Sequence, residues 1–277
     1  MKQDRISQTA LKVALGLITL NIKDDWAKRL PVGLVEMSEC LLIASGSPGY
    51  GPRMMEWSKQ PWMLRAYGMQ EWLLPGQFEG FGYRKIFVQQ QVEAAIEQGV
   101  RQVLIVGAGF DTLCLRLAPQ YPDLHFLEVD HPATSAAKRK GIEQVGRPAN
   151  LTQVAADLGE RPLSQVLEAE EHWRTDVLSV LVAEGLFQYL TDEEVRGLLV
   201  EAAVSTGTGS RFVFTHALPG YSKWVTILTN LISESWKSSV HSEDLQEYIE
   251  GTGWTMISEV DSDSTHGAER YAVVEQR

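Results

Sequence analysis

The residues best suited to chemistry gather in one stretch, Gln102–Asp130. Val103–Val106 is a short apolar run, Gly107, Ala108 and Gly109 make a tight turn, and Asp111 stands in that turn. A second apolar run, His125–Val129, is closed by Asp130. Glycines between a strand and a helix let a ligand approach the backbone. An acid about 20 residues further on suits a ribose hydroxyl. The order reads as the first half of a nucleotide-cofactor site. A dinucleotide fingerprint has a third glycine for close helix–strand packing, and Thr112 occupies that place. A pyrophosphate needs only donors in the turn, so Asp111 disfavours it and suits a cationic or zwitterionic ligand. S-adenosyl-L-methionine, which has no phosphate, a sulfonium and an amino-acid tail, meets that description.

The elements that must hold these residues alternate along the chain. Strands are expected at Val103–Val106, His125–Val129, Leu151–Asp157, Val177–Val182 and Arg211–Thr215, then a closing antiparallel pair at Trp254–Val260 and Arg270–Val274. Helices are expected at Asp111–Leu117, Ala133–Gln144, Leu163–His172 and Thr191–Ser205, the last opened by a Thr191/Glu194 capping box. This alternation implies an α/β fold: a doubly wound, mainly parallel, seven-stranded Rossmann-like sheet. Ligands of such sheets lie at the carboxyl ends of the strands. Helical spacing is also expected over residues 6–20, Asp24–Leu30, Leu34–Ala44 and Met54–Met69. A glycine-flanked turn at Gly80–Gly82 then leads into a helix ending near Gly99. We read residues 1–79 as a helical N-terminal cap and 80–277 as the cofactor domain, with a lid insertion at about 218–240.

The chain has 277 residues, 44% of them hydrophobic, enough for one large core with a cap. Its formal net charge of -11 argues against nucleic acid, whose phosphate backbone needs clustered Lys and Arg. Cys40 and Cys114 give no disulfide framework, and Cys114 is expected to be a buried thiol on a helix. No apolar run approaches the roughly 18 residues of a membrane span. Asp4 and Lys12 interrupt the opening stretch, which reads as an amphipathic helix rather than a signal peptide. A cytoplasmic location and a small-molecule partner are expected. No His/Cys cluster has metal-ligand spacing, so no metal is expected.

Three motifs are more specific than the glycine turn. VGAGFDTLCLRL (Val106–Leu117), FLEVDHPATSAAKR (Phe126–Arg139) and VAEGLFQYLTDEEVRGLL (Val182–Leu199) resemble the leucine carboxyl methyltransferase family. That family consists of S-adenosylmethionine-dependent O-methyltransferases and includes bacterial polyketide O-methyltransferases. The resemblance covers about residues 80–215. It implies that Arg84 pairs with the cofactor's carboxylate, for which a guanidinium is suited. It implies backbone approach at Gly107 and Gly109, and a ribose contact at Asp130, a residue also placed to cap the helix after Pro132. It implies adenine contacts at Asp157 and Leu158, where the alternative is a strand-end cap. It places Glu184 beside the methionine part of the cofactor; a charge ending an apolar strand is seldom mere surface.

Catalytic candidates are less distinct. Tyr189 is placed to border the substrate or to fill a core. His216 ends the fifth strand, where a base would sit, and His241 follows an aromatic segment and is placed to cap the site; a structural role competes for both. Tyr50, Tyr221, Trp224 and Trp236 are candidates to line an apolar acceptor pocket, or simply core. The expected activity is methylation of a carboxylate, or a hydroxyl, of a small, partly apolar metabolite, leaving S-adenosyl-L-homocysteine. The alternatives are an NAD-dependent oxidoreductase and a catalytically silent cofactor-binding scaffold.

Overall fold

The computed structural model describes residues 6–73, 76–219, 236–261 and 269–277. Seven apolar runs form one sheet. They are β1 (Gln102–Val106), β2 (His125–Asp130), β3 (Leu151–Ala155), β4 (Ser179–Ala183), β5 (Arg211–Ala217), β6 (Trp254–Asp261) and β7 (Glu269–Gln276). The order is β3-β2-β1-β4-β5-β7-β6. β1 to β5 pair in parallel, whereas β7 inserts between β5 and β6 and runs antiparallel to both. The doubly wound reading holds, and β1, flanked by β2 and β4, is the point where the strand order reverses.

Strand alternation divides the core between two faces. Val103, Ile105, Val182 and Val213 pack under α1 (Gln8–Leu20), α3 (Leu34–Ser45), α6 (Gln77–Glu97), α7 (Leu113–Leu117) and α8 (Pro132–Val145). Leu104, Leu181, Phe212 and Phe214 pack under α9 (Leu163–Glu168), α10 (Asp192–Val204) and α11 (Leu245–Ile249). The N-terminal helices thus share a core with the sheet. Leu11, Leu15 and Ile18 of α1 belong to the same cluster as Val103. An outer cluster of Leu17, Leu20, Trp26 and Phe78 ties α1, α2 (Asp24–Arg29) and α6 together.

Several local expectations change. The single helix expected over Met54–Met69 is two, α4 (Pro52–Ser58) and α5 (Pro61–Leu73), because Pro61 lacks an N–H and starts a new helix instead of continuing one. The turn expected at Gly80–Gly82 lies inside α6, which runs continuously across positions 79 and 80. Tertiary packing outweighs glycine's weak helix propensity there: a Cβ on Gly82 would sit 2.3 Å from the Trp26 ring. β3 stops at Ala155, short of Asp157, and α9 stops at Glu168. β5 continues to Ala217 and takes in His216. The capping box opens α10 as expected, with Thr191 N–H donating to Glu194 Oε2 at 2.6 Å and Glu194 N–H to Thr191 Oγ1 at 3.2 Å. Among the described residues no helix is long and apolar enough to cross a membrane.

Candidate active site

The glycine turn leaves β1 with Gly107 at φ +69 and Gly109 at φ +45, both in the left-handed region that side chains avoid. A Cβ on Gly107 would stand 3.0 Å from Leu186, and one on Gly109 would stand 2.9 Å from Ala10 of α1. On that side the close approach is made by the chain itself. Gly107 N–H donates to Val129 O at 2.9 Å, locking the turn to β2. Asp130, at the end of β2, accepts from the Gly109 N–H through Oδ2 and from the His131 N–H through Oδ1 at 2.6 Å. It closes the turn rather than capping α8. That cap is His131, whose Nδ1 accepts from the Ala133 N–H at 3.4 Å. Burial raises the Asp130 carboxyl's pKa, against those two N–H groups and Lys138. An ionised carboxylate offers about four acceptor sites, so both oxygens keep capacity for hydroxyls.

Beside the turn lies a cluster of five charged groups. Arg84 and Lys85 are neighbours on α6, 5% and 8% exposed. Arg84 Nε meets Glu184 Oε1 at 2.7 Å, and its Nη1 meets Glu269 Oε2 at 2.7 Å. Lys85 Nζ meets the same Glu184 Oε1 at 2.8 Å and also Asp111 Oδ2. Gln188 Nε2 donates to Glu269 Oε1 at 3.0 Å. Burial works against both cations, and their carboxylate partners outweigh it, so Arg84 and Lys85 are both held above their ordinary pKa. Burial would raise Asp111; Lys85, Lys138 and the hydrogen bonds from Lys85 and the Leu113 N–H outweigh it and hold the carboxyl low. Asp111 is therefore a paired group that also accepts from the first N–H of α7 at 2.5 Å, not the free anion that its place in the turn suggests.

Glu184 Oε2 is buried and has no hydrogen-bond partner among the described residues. An orphan oxygen alone does not make a site. Glu128 Oε1 is another, but Glu128 sits within β2 against Lys138 of α8 at 2.8 Å, both 2% exposed. Burial, against the pull of Lys138, raises the Glu128 carboxyl's pKa. Glu184 instead follows the last residue of β4, at the carboxyl end of the sheet where ligands bind.

The other candidates are dispersed. Asp157 lies beyond β3 with its side chain 32% exposed, accepts from the Gly159 N–H at 2.9 Å, and stands 3.6 Å from His131 Nε2. Leu158 is half-buried against the α9/α10 face. Tyr189 ends a short 3-10 turn, Phe187–Tyr189, and is half-buried. His216 is 3% exposed and bonds through Nε2 to Glu259 Oε1 of β6 at 2.8 Å. Its ring neighbours Phe214, on the face opposite Arg84 and Glu184. His241 is exposed. Neither histidine is brought to the ionic cluster. Tyr50 packs against the α6-face core and Trp236 is half-buried, while Tyr221 and Trp224 lie outside the described residues, as does most of the lid segment. Cys114 is fully buried, as expected.

Sequence reasoning missed Lys85, Glu269 and Glu259. Lys85 alone carried a signal, as a second charge on an otherwise amphipathic helix; the other two sit in ordinary alternating strands.

A family model described as leucine carboxyl methyltransferase matches residues 42–203, more than half of the chain. The chain belongs to that family. A Parafrankia protein named for S-adenosyl-L-methionine-dependent methyl transfer is 32% identical over 136 residues, 48% of this chain and 43% of the relative. A Streptomyces coelicolor protein of the same naming is 30% identical over 181 residues, 57% and 62% of the two chains. This chain thus spans less than two thirds of either relative. A Thermobifida fusca structure described as a methyltransferase shares the fold, with a TM-score of 0.58, 16% identity, and coverage of 86% of this chain and 94% of the other. Both relatives are named for dependence on S-adenosyl-L-methionine. The residues present fit it. The orphaned, buried Glu184 oxygen calls for a donor such as the ammonium of an amino-acid tail, and Asp130 retains acceptor capacity at the turn.

Proposed function

We propose that this chain transfers a methyl group from S-adenosylmethionine to an oxygen of a small, partly apolar acceptor, and that the oxygen belongs to a carboxylate. The observation that carries the reading is the Arg84–Lys85–Glu184 assembly at the end of β4, with Glu184 Oε2 buried and without a partner among the described residues. In this reading Arg84 meets the cofactor's carboxylate and Asp130 its ribose. Asp157 accepts from the adenine amine and the Leu158 N–H donates to the ring. The turn at Gly107 and Gly109 sets the backbone against which the adenosine lies.

The bound cofactor supplies a methyl group made electrophilic by its sulfonium. What the chain adds is orientation and a dry, preorganised electrostatic setting. A carboxylate acceptor is ionised at neutral pH and needs only positioning. A hydroxyl must lose a proton to a base within hydrogen-bond reach. The histidines support the carboxylate: His216 is pinned by Glu259 on the far face and His241 is exposed. In this reading Tyr189 borders the acceptor, on the side of the N-terminal cap.

Two measurements test the reading. S-adenosylhomocysteine should raise the melting temperature and NAD should not; the reverse pattern would establish the oxidoreductase. Labelled methyl transfer to a metabolite extract should yield a base-labile product, an ester. A base-stable label would point to an ether and remove the carboxylate assignment, and no transfer would leave a binding scaffold.

A further inference from the structure

We propose that Lys85 is a positioning residue for the amino-acid tail of the cofactor: it ties the glycine turn to the end of β4 and turns Glu184 so that one oxygen faces the tail's ammonium. The inference rests on the S-adenosylmethionine reading above. Its basis is how the two oxygens of Glu184 are used. Oε1 receives both Arg84 Nε at 2.7 Å and Lys85 Nζ at 2.8 Å, while Oε2 is buried and receives nothing among the described residues. Two cations on one oxygen fix the carboxylate plane and leave the second oxygen directed and unsatisfied. Leaving such an oxygen bare is costly, and a charged donor relieves that cost.

Arg84 alone does not accomplish this. Its guanidinium is also drawn to Glu269 on β7, through Nη1 at 2.7 Å. Lys85 is the group that reaches the turn, through Asp111, which in turn accepts from the first N–H of α7. The chain α7–Asp111–Lys85–Glu184 therefore sets the distance between the two sides of the site.

The test compares two ligands that differ only at the tail. S-adenosylhomocysteine carries it; 5′-methylthioadenosine has the adenosine and a thioether but no amino acid. Calorimetric binding is measured for the wild type, Lys85→Met, and the double variant Lys85→Met/Asp111→Asn, which leaves no unpaired buried charge on Asp111 if the single variant folds poorly. Loss of one charge-assisted hydrogen bond corresponds to about 10- to 100-fold weaker S-adenosylhomocysteine binding. Binding of 5′-methylthioadenosine should stay within about 2-fold, a selectivity that a merely structural lysine would not produce. Equal loss of both ligands, or unchanged S-adenosylhomocysteine binding in both variants, overturns the role of Lys85 and leaves the cofactor reading standing. A wild type that binds neither ligand overturns the cofactor reading and this inference together.

Discussion

Two buried ionic arrangements occupy the carboxyl end of the sheet, on opposite faces. Under α6, five charged side chains from a helix, a turn, the end of one strand and the start of another meet, and Glu184 keeps a bare oxygen. Under α10 and α11, one histidine meets one glutamate, His216 and Glu259, beside a cavity of about 10 Å³ walled by Phe187, Phe214, Val240 and Tyr248. A cavity of that size holds one water at most. His216 Nδ1 is also buried without a partner among the described residues, and His216 is one of the residues lining that small cavity. The first arrangement leaves a buried carboxylate oxygen that asks for a donor. The second is a pin joining β5 to β6 across β7, with Ser242 also bonded to Glu259 and Arg270 acting on it. An unsatisfied buried oxygen at a strand end, more than the presence of a titratable base, is the feature on which the proposed ligand site rests.

That contrast has measurable consequences. The largest is at Arg84. Arg84→Met leaves Glu184 and Glu269 buried without their shared cation, and breaking a buried pair costs about 3–5 kcal/mol. Urea unfolding should show a loss of that size together with loss of methyl transfer; a loss under about 1 kcal/mol, the range of exposed pairs, would mean the cluster is solvated. Asp130→Asn comes next. It keeps one acceptor for the Gly109 N–H but removes the charge that the proposed function sets against the ribose, so S-adenosylhomocysteine should bind about 10-fold more weakly, one charge-assisted hydrogen bond. Unchanged affinity by calorimetry would confine Asp130 to closing the turn.

Acid stability follows from Asp111. Burial opposes ionisation, but Lys85 leads the interactions that hold the folded carboxyl below its ordinary value of 3.8. A depressed folded pKa contributes stability in full above the unfolded value and loses it as pH falls through the folded one. The urea midpoint should therefore drop below about pH 4, with a shallower drop in Lys85→Met/Asp111→Asn. Identical acid profiles would remove Asp111 from the ledger of acid stability. The smallest effect is expected at His216. His216→Gln should leave methyl transfer within about 3-fold, since general-base removal typically costs 100-fold or more. A loss of that larger size, with a pH–rate profile that loses a limb, would move the chemistry to the other face and make the acceptor a hydroxyl.

What could be read from the chain was local. The glycine turn, the acid closing β2, the capping box at Thr191/Glu194 and the strand alternation all depend on neighbours within a turn or a βα unit. The parallel sheet follows from their order. The misreadings share one cause. Gly82 looked like part of a turn because its partners, Trp26 and Leu20, lie far back in the chain. Asp111 looked like a free anion because Lys85 lies 26 residues away. His216 looked like a base because its pin, Glu259, lies 43 residues on, in a strand whose place in the sheet depends on β7 entering between it and β5.

The sequence by itself determined the class of fold, the turn and its closing acid, and the family to which the chain belongs, because each is written in short-range patterns of apolar, glycine and acidic residues. Only the tertiary structure decided which charges meet. Arg84 joins Glu184 across 100 residues and Glu269 across 185. Such pairs form only when the closing of the sheet removes them from water and leaves each charge no other partner.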